Sequence, residues 1–384
     1  MANTYLSRTT GTPTNAKKFT VSFWFKAGAG TGDQYLLSTG PGGGAPDGNI
    51  YLDHSTGGGE LWYADPNDGS GFGFRTQRKF TDSSSWVHFC MGIDTTASSG
   101  SRLKVEIDGV DQGQPSATAG SLLQNNQGGS ALPTEPSPNQ DMNLNKDSAV
   151  YNIGRRTLTS GGPLDGYLAN YYFIDGEKKQ ASDFGQLDTS TNRWVPKAYS
   201  GNFNDNGWKL AFGTAPGTSN GAGTDTSGEN HHWAENNFNS TDQSADTPTK
   251  NFNVFDGGLN GAGTLSEGNT QIVTATDQRT TYTTMDIPAT GKWYWELDVV
   301  NYNTGGSVYL GVVEFDELVT SNNPISGLTK QVIFDNFAGN AYVYSNSSSA
   351  GLGTAWCNTP GSNNFNADGD ILQFALDQDA GTLF

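Results

Sequence analysis

Along much of this 384-residue chain, apolar and polar residues alternate over short stretches, the pattern of strands with one face on a core and one in water. Phe19, Val21, Phe23 and Phe25 alternate with Thr20, Ser22 and Lys26, with Trp24 the one break in the polar set. Leu103, Val105 and Ile107 alternate with Arg102, Lys104, Glu106 and Asp108, and Asp108-Gly109 supplies the turn that such a strand needs. Further strands are predicted at 34–38, 49–53, 60–64, 72–75, 86–94, 150–154 and 167–174. Gly, Asp or Pro separates them, the spacing of a sandwich or jelly roll. No ten-residue window has a helical period, and only Lys178–Gln186 reads as a short helical turn.

Two polar regions interrupt the strands. Residues 111–149 are rich in Gln, Asn, Ser and Pro and read as a long surface excursion. Residues 201–250 read as a connector between a first domain at 1–200 and a second at 251–384. Within the connector, Gly207–Phe212 is apolar enough to be a strand, predicted to pair back onto the first domain's sheet with Trp208 buried. Strands then return at 271–275, 291–299, 307–313, 331–334, 341–344 and 370–376.

Composition narrows the class. There are 51 Gly and 15 Pro, and only 16% of residues are charged. Poor helix formers dominate the polar positions, which excludes a long helical bundle. The glycines have no three-residue period, which excludes collagen. A 34% hydrophobic content provides for a core. The fold class expected is all-β.

The net charge of −18 is uneven, −3 over residues 1–200 and −15 over 201–384. Such a balance repels phosphate backbones and anionic lipid heads, so neither nucleic acid nor membrane insertion is expected. No apolar run reaches the 18 or more residues of a membrane-spanning helix, and no signal peptide is readable at the N-terminus. Cys90 and Cys357 each sit among large apolar residues and read as two buried thiols rather than a disulfide, in keeping with synthesis in a reducing cytoplasm.

Two parts of the chain resemble known modules. Tyr5-Leu6-Ser7-Arg8, residues 19–26, Trp86-Val87-His88-Phe89, residues 103–109, Asn152-Ile153-Gly154-Arg155 and residues 164–176 together resemble a laminin-G-like, concanavalin-A-like jelly roll over about 1–200. Residues 290–296, 309–313 and 368–377 with Gly381-Thr382-Leu383 resemble a SPRY domain over about 265–384. The SPRY pattern continues past the Gly-Thr-Leu turn, so the resemblance implies a second domain incomplete at its C-terminus. The order of the modules, with linker motifs at 194–197, 206–212, 227–233 and 246–252, resembles structural proteins of marine (cyanophage-like) bacteriophages. That resemblance implies a non-enzymatic virion fibre, spike or appendage that attaches to a host surface by glycan binding, or else a decoration or adaptor protein without a ligand. It implies other virion proteins as partners and a homo-oligomer, a trimer first. A strand face of Leu372, Phe374 and Leu376 left as an open edge supports a partner there.

Candidate chemistry is sparse. The concanavalin-like fold also houses glucanases, yet Glu296 and Asp298 lack the further carboxylate that a glycosidase pattern places two or three positions on. His231-His232 has no second pair or nearby Cys to complete a metal site, and no GxSxG occurs. Trp62, Tyr63, Asp65 and Asn67 combine aromatic rings and planar polar groups in one short segment, the chemistry of a sugar site. Asp53, Asp65 and Asp68 are candidate ligands for a calcium ion at a loop rim.

Overall fold

The structure, a computed structural model, describes residues 4–383 except 29–31, 41–47, 57, 66–70, 83, 119, 128–129, 132, 158, 160, 239–241, 245, 261–262, 268–269, 275–279, 284, 286, 302–308, 314–330, 338–339 and 346–366. The chain divides into two compact units, residues 1–258 with 266–271, and residues 259–265 with 272–384. Among the described residues, helix is limited to three single 3-10 turns at Asn143–Asn145, Ala181–Asp183 and Gly221–Gly223.

The first unit is a sandwich. Its strands are β1 (Tyr5–Thr9), β2 (Lys18–Ala27), β3 (Asp33–Gly40), β4 (Asn49–Asp53), β5 (Glu60–Asp65), β6 (Phe72–Lys79), β7 (Val87–Asp94), β8 (Leu103–Ile107) and β9 (Val110–Asp111). After these come β10 (Leu123–Gln124), β11 (Asn126–Gln127), β12 (Ser130–Ala131), β13 (Val150–Ile153), β14 (Gly166–Asp175), β15 (Gly185–Asp188), β16 (Arg193–Pro196), β17 (Trp208–Leu210) and β18 (Ala234–Asn236). One sheet has eight strands in the order β10-β6-β5-β4-β3-β13-β1-β18, the other six in the order β17-β14-β2-β7-β8-β9. Two short hairpins, β11-β12 and β15-β16, stand apart from both.

Alternation along β2 explains the layering. Phe19, Val21, Phe23 and Phe25 point into the sandwich, where Phe23 meets Tyr171 at 4.6 Å between ring centroids. The other face of β2 is also buried, because later segments lie over it. Trp24 stacks on His88 at 5.0 Å, and His88 stacks in turn on Trp194 of the β15-β16 hairpin at 6.1 Å. The Trp194 indole donates to His88 Nδ1 at 2.9 Å, so Nε2 carries the proton and donates to Ser22 at 2.8 Å. Burial lowers the His88 pKa to about 3, so the ring stays neutral in this stack.

The segment read as a connector is built into the first unit. Trp208–Leu210 pairs with β14, and Trp208 is fully buried. Trp233 packs edge-on against Trp208 at 4.9 Å, and β18 pairs with β1. Further on, the Asp246 carboxylate accepts from Lys26 at 2.8 Å and from the Trp86 indole at 3.1 Å, with both charged side chains almost wholly out of water. Asn251 adds a second acceptor for Lys26 at 3.2 Å and donates to the Ser84 carbonyl.

The excursion at 111–149 is likewise more than surface. Leu123, Met142 and Leu144 enter the core, while Asn145 donates to the buried Asp175 carboxylate at 2.7 Å. Asp175 also accepts from the Thr14 and Asn206 backbone N–H groups, which ties the ends of three segments together.

The second unit is all-β where described. Lys292–Asp298 pairs antiparallel with Ile371–Asp377, which pairs with Thr382–Leu383. Tyr309–Val313, Gln331–Phe337 and Asn340–Ser345 form a second antiparallel sheet. Phe374, Leu376 and Leu383 cluster with Trp295, Leu297, Leu310 and Val312 as its core.

Candidate functional site

Strand β5 divides the segment that the sequence grouped as a sugar site. Side chains alternate along a strand, so Trp62 points to the outer face while Tyr63 and Asp65 point into the sandwich. Tyr63 and Asp65 are both fully buried, which removes them from any surface site. Asp65 accepts from the Tyr63 hydroxyl at 3.0 Å and from the Asn143 backbone and side-chain nitrogens at 2.9 and 2.6 Å. It is a core hydrogen-bond hub. Asn67 and Asp68 lie outside the described residues.

Burial pushes the Asp65 pKa up to about 6, against the opposing pull of its hydrogen-bond donors from Tyr63, Asn143 and Leu144. The sign of the linkage follows. Between about pH 4 and pH 6 the folded chain holds a proton that the unfolded chain has released. This contribution is therefore complete below about pH 4 and is lost as pH rises through 6. Urea denaturation at pH 4 and pH 6.5 checks it: Asp65→Asn is expected to flatten that part of the pH dependence, and an unchanged slope would refute the assignment.

Trp62 joins a row on the outer face of the eight-stranded sheet. The register places Tyr35, Tyr51, Trp62 and Arg75 side by side on β3, β4, β5 and β6. Tyr35 and Tyr51 stack at 5.1 Å, Tyr51 and Trp62 at 6.1 Å, and the Arg75 guanidinium lies 5.5 Å from the Trp62 ring. The Arg156 guanidinium closes the other end, 5.8 Å from the Tyr35 ring. Trp62 is only 8% exposed, because its neighbours in the row occupy its faces. The open sugar-stacking platform expected of it is not what this ring offers; Tyr51, half-buried, is the more accessible.

A polar row runs beside the aromatic one. Asn152, Ser38 and Asn49 are paired across β13, β3 and β4, and all three are buried. Thr157 caps Ser38, donating its backbone N–H to the Ser38 hydroxyl at 3.0 Å. Gly162 lies on Tyr35 at a φ of +62°, and a Cβ there would come within 2.5 Å of the ring, so glycine is required. Among the described residues, Trp62 Nε1, Arg75 Nε and Asn152 Oδ1 of this face are buried without a hydrogen-bond partner. Such groups are nearly always satisfied in folded proteins.

At the rim, Asp33 and Asp53 face each other across β3 and β4. The Ser55 hydroxyl sits between them, 2.7 Å from Asp33 and 3.0 Å from Asp53. Asp53 also accepts from the Thr56 backbone and hydroxyl, both at 2.8 Å, and is buried. It caps a turn. His54 follows, its pKa lowered chiefly by burial, against the opposing pull of Asp53 and Asp165. Among the described residues, no group of three or more His, Cys, Asp or Glu is arranged to hold a metal ion. Asp53 and Asp65, grouped as calcium ligands by the sequence, lie on opposite faces of the sheet.

Other candidates fall elsewhere. His231 bonds the Gly207 carbonyl at 2.7 Å, and His232 accepts from the Asp225 backbone at 3.1 Å, so both brace a packed corner. Glu296 and Asp298 are exposed on a strand of the second unit. Cys90 is a buried free thiol, its pKa raised by burial, and Cys357 lies outside the described residues. No helix among the described residues is long and apolar enough to cross a membrane.

No curated protein matches the chain. Among solved structures, a Bacteroides ovatus protein whose proposed role is carbohydrate binding is similar at 15% identity and a TM-score of 0.40, over 61% of this chain and 56% of that one. This chain thus spans just over half of that protein. Domains LG4-5 of the mouse laminin alpha1 chain are similar at 8% identity and 0.33, over 97% and 70%. A heptameric SAP-like pentraxin from Limulus polyphemus is similar at 14% and 0.31, over 46% and 71%. Residues 2–143 match the family model of the concanavalin A-like lectin/glucanases superfamily, laminin-G type. With that match and the two packed sheets, the first unit has a laminin-G-like, concanavalin A-like sandwich fold.

Proposed function

We propose that the first unit binds glycans through the outer face of its eight-stranded sheet, and that the chain is a non-enzymatic virion fibre, spike or appendage that contacts a host surface. The observation that carries glycan binding is the aromatic row of Tyr35, Tyr51 and Trp62, flanked by the Arg75 and Arg156 guanidinium groups on the outer face of a laminin-G-like sandwich. Aromatic rings take the C–H side of a sugar ring and a guanidinium donates to its hydroxyls, so one ligand class answers both parts of the row. Tyr51 and Arg75, the partly exposed members of the row, are the first contacts.

The virion reading rests on the order of the modules, the second of them SPRY-like, and on the linker motifs around Trp194, Trp208 and Trp233. A homotrimer suits this role, because repeated weak sites gain avidity. The absence of hydrolysis is part of the proposal: Asp53, which faces Asp33 across β3 and β4, is committed to its turn.

A glycan array probed with the whole chain tests the reading. Binding to at least one glycan is expected, weakened about tenfold or more by Tyr51→Ala or Arg75→Ala. An array without a binder, together with localisation at a joint between virion proteins by cryo-EM, would favour the ligand-free decoration role instead.

A further inference from the structure

Among the described residues, the strand Lys292–Asp298 of the second unit has an open outer face that none of the foregoing uses. Trp295 and Leu297 face its core, and Tyr294, Glu296 and Asp298 face the other way. The register sets Ala375 directly opposite Tyr294, Gln373 opposite Glu296 and Ile371 opposite Asp298. Tyr294 is 58% exposed and Ile371 60%. A methyl group opposite the phenol is too small to cover it.

The polar groups of this face are held in one array. The Tyr294 hydroxyl donates to Glu296 Oε1, and Gln373 Nε2 donates to the same oxygen at 3.1 Å. Exposed polar contacts of this kind add little to stability. They do restrict rotamers in advance, which lowers the ordering cost when something binds. The shared use of Oε1 leaves Glu296 Oε2 and the Gln373 amide oxygen as acceptors beside an uncovered aromatic ring.

We propose that this face binds a neutral sugar, its ring stacked on Tyr294 and its hydroxyls donating to Glu296 and Gln373. Charge selects the class. Glu296 and Asp298 share the face, and residues 272–384 carry 3 Lys+Arg against 12 Asp+Glu, a net charge of −9, so acidic sugars are repelled. The apolar flank supplied by Ile371 suits the C–H side of a pyranose better than a strongly hydrated cation. The proposal is independent of the first unit's site.

Isothermal titration of the whole chain with cellohexaose, mannohexaose and chitopentaose, beside hexagalacturonate and hexalysine, tests it. Binding of at least one neutral oligosaccharide is expected. Tyr294→Ala should weaken that binding about tenfold or more and Tyr294→Phe by no more than about threefold. The tyrosine is exposed, so the variants should keep the far-ultraviolet circular dichroism of the parent. The proposal is overturned if no neutral oligosaccharide binds, if Tyr294→Ala binds like the parent, if hexalysine or hexagalacturonate is the better ligand, or if Tyr51→Ala alone abolishes binding.

Discussion

Lys26→Met, with Asp246 left in place, is expected to destabilise the first unit by about 3–5 kcal/mol in urea denaturation. The two side chains are 0% and 1% exposed and their charged atoms lie 2.8 Å apart. Removing the ammonium leaves Asp246 charged in a dry setting, still bonded by Trp86 Nε1 and the Phe252 backbone but without its counter-charge. Asp246→Leu should cost a similar amount by stranding Lys26. The double variant is the informative one. An apolar pair of similar volume avoids burying either charge, so Lys26→Met with Asp246→Leu should recover most of the loss. Single variants within about 1 kcal/mol of the parent would mean that the segment around Asp246 is not held by this pair.

A chain ending at residue 200 is expected to fail to fold, whereas one ending at residue 258 should unfold cooperatively. The shorter chain retains the segments that resemble the lectin-like module, so on sequence alone it looks sufficient. It lacks Trp208, Leu210 and Trp233, which are core residues, and the two strands β17 and β18 that flank β14 and β1. Loss of a single buried tryptophan costs about 3–5 kcal/mol, a large part of a typical domain's 5–15 kcal/mol. Trp233→Ala in the full chain isolates one such contribution. Proteolysis and circular dichroism of the two truncated chains would decide the matter, and a well-folded 1–200 chain would contradict the packing described.

What the sequence disclosed, and what it hid, has a physical reason in each case. The alternation at 19–25 and 103–107 was readable because one face of those strands meets a core. Trp208 stood out because it is apolar in a polar stretch. Asn143 and Asn145 did not stand out. They look like turn residues, and only the fold shows that they satisfy the buried Asp65 and Asp175 carboxylates.

The candidate site was legible through Trp62 alone. Grouping it with Tyr63 and Asp65 ignored the period of the strand predicted at 60–64, which sends those two side chains into the core. The aromatic row was hidden because Tyr35 and Tyr51 become neighbours of Trp62 only through strand pairing, past a bulge between Tyr35 and Leu37. Had the three strands been aligned by their outward positions, the shared parity of these rings would have been the signal.

The pairing of β1 with β18 has a consequence for the order of events during synthesis. Tyr5 and Asn236 are adjacent in the sheet though 231 positions apart in the chain. At about 5–20 residues per second, roughly 12–46 s elapse between their emergence from the ribosome. Throughout that interval one side of β1 has no partner, and an unpaired strand edge is a template for the wrong neighbour. Folding of this unit is therefore coupled to the completion of its C-terminal third, so yield on expression should respond more to translation speed and holding chaperones than to changes in the core alone.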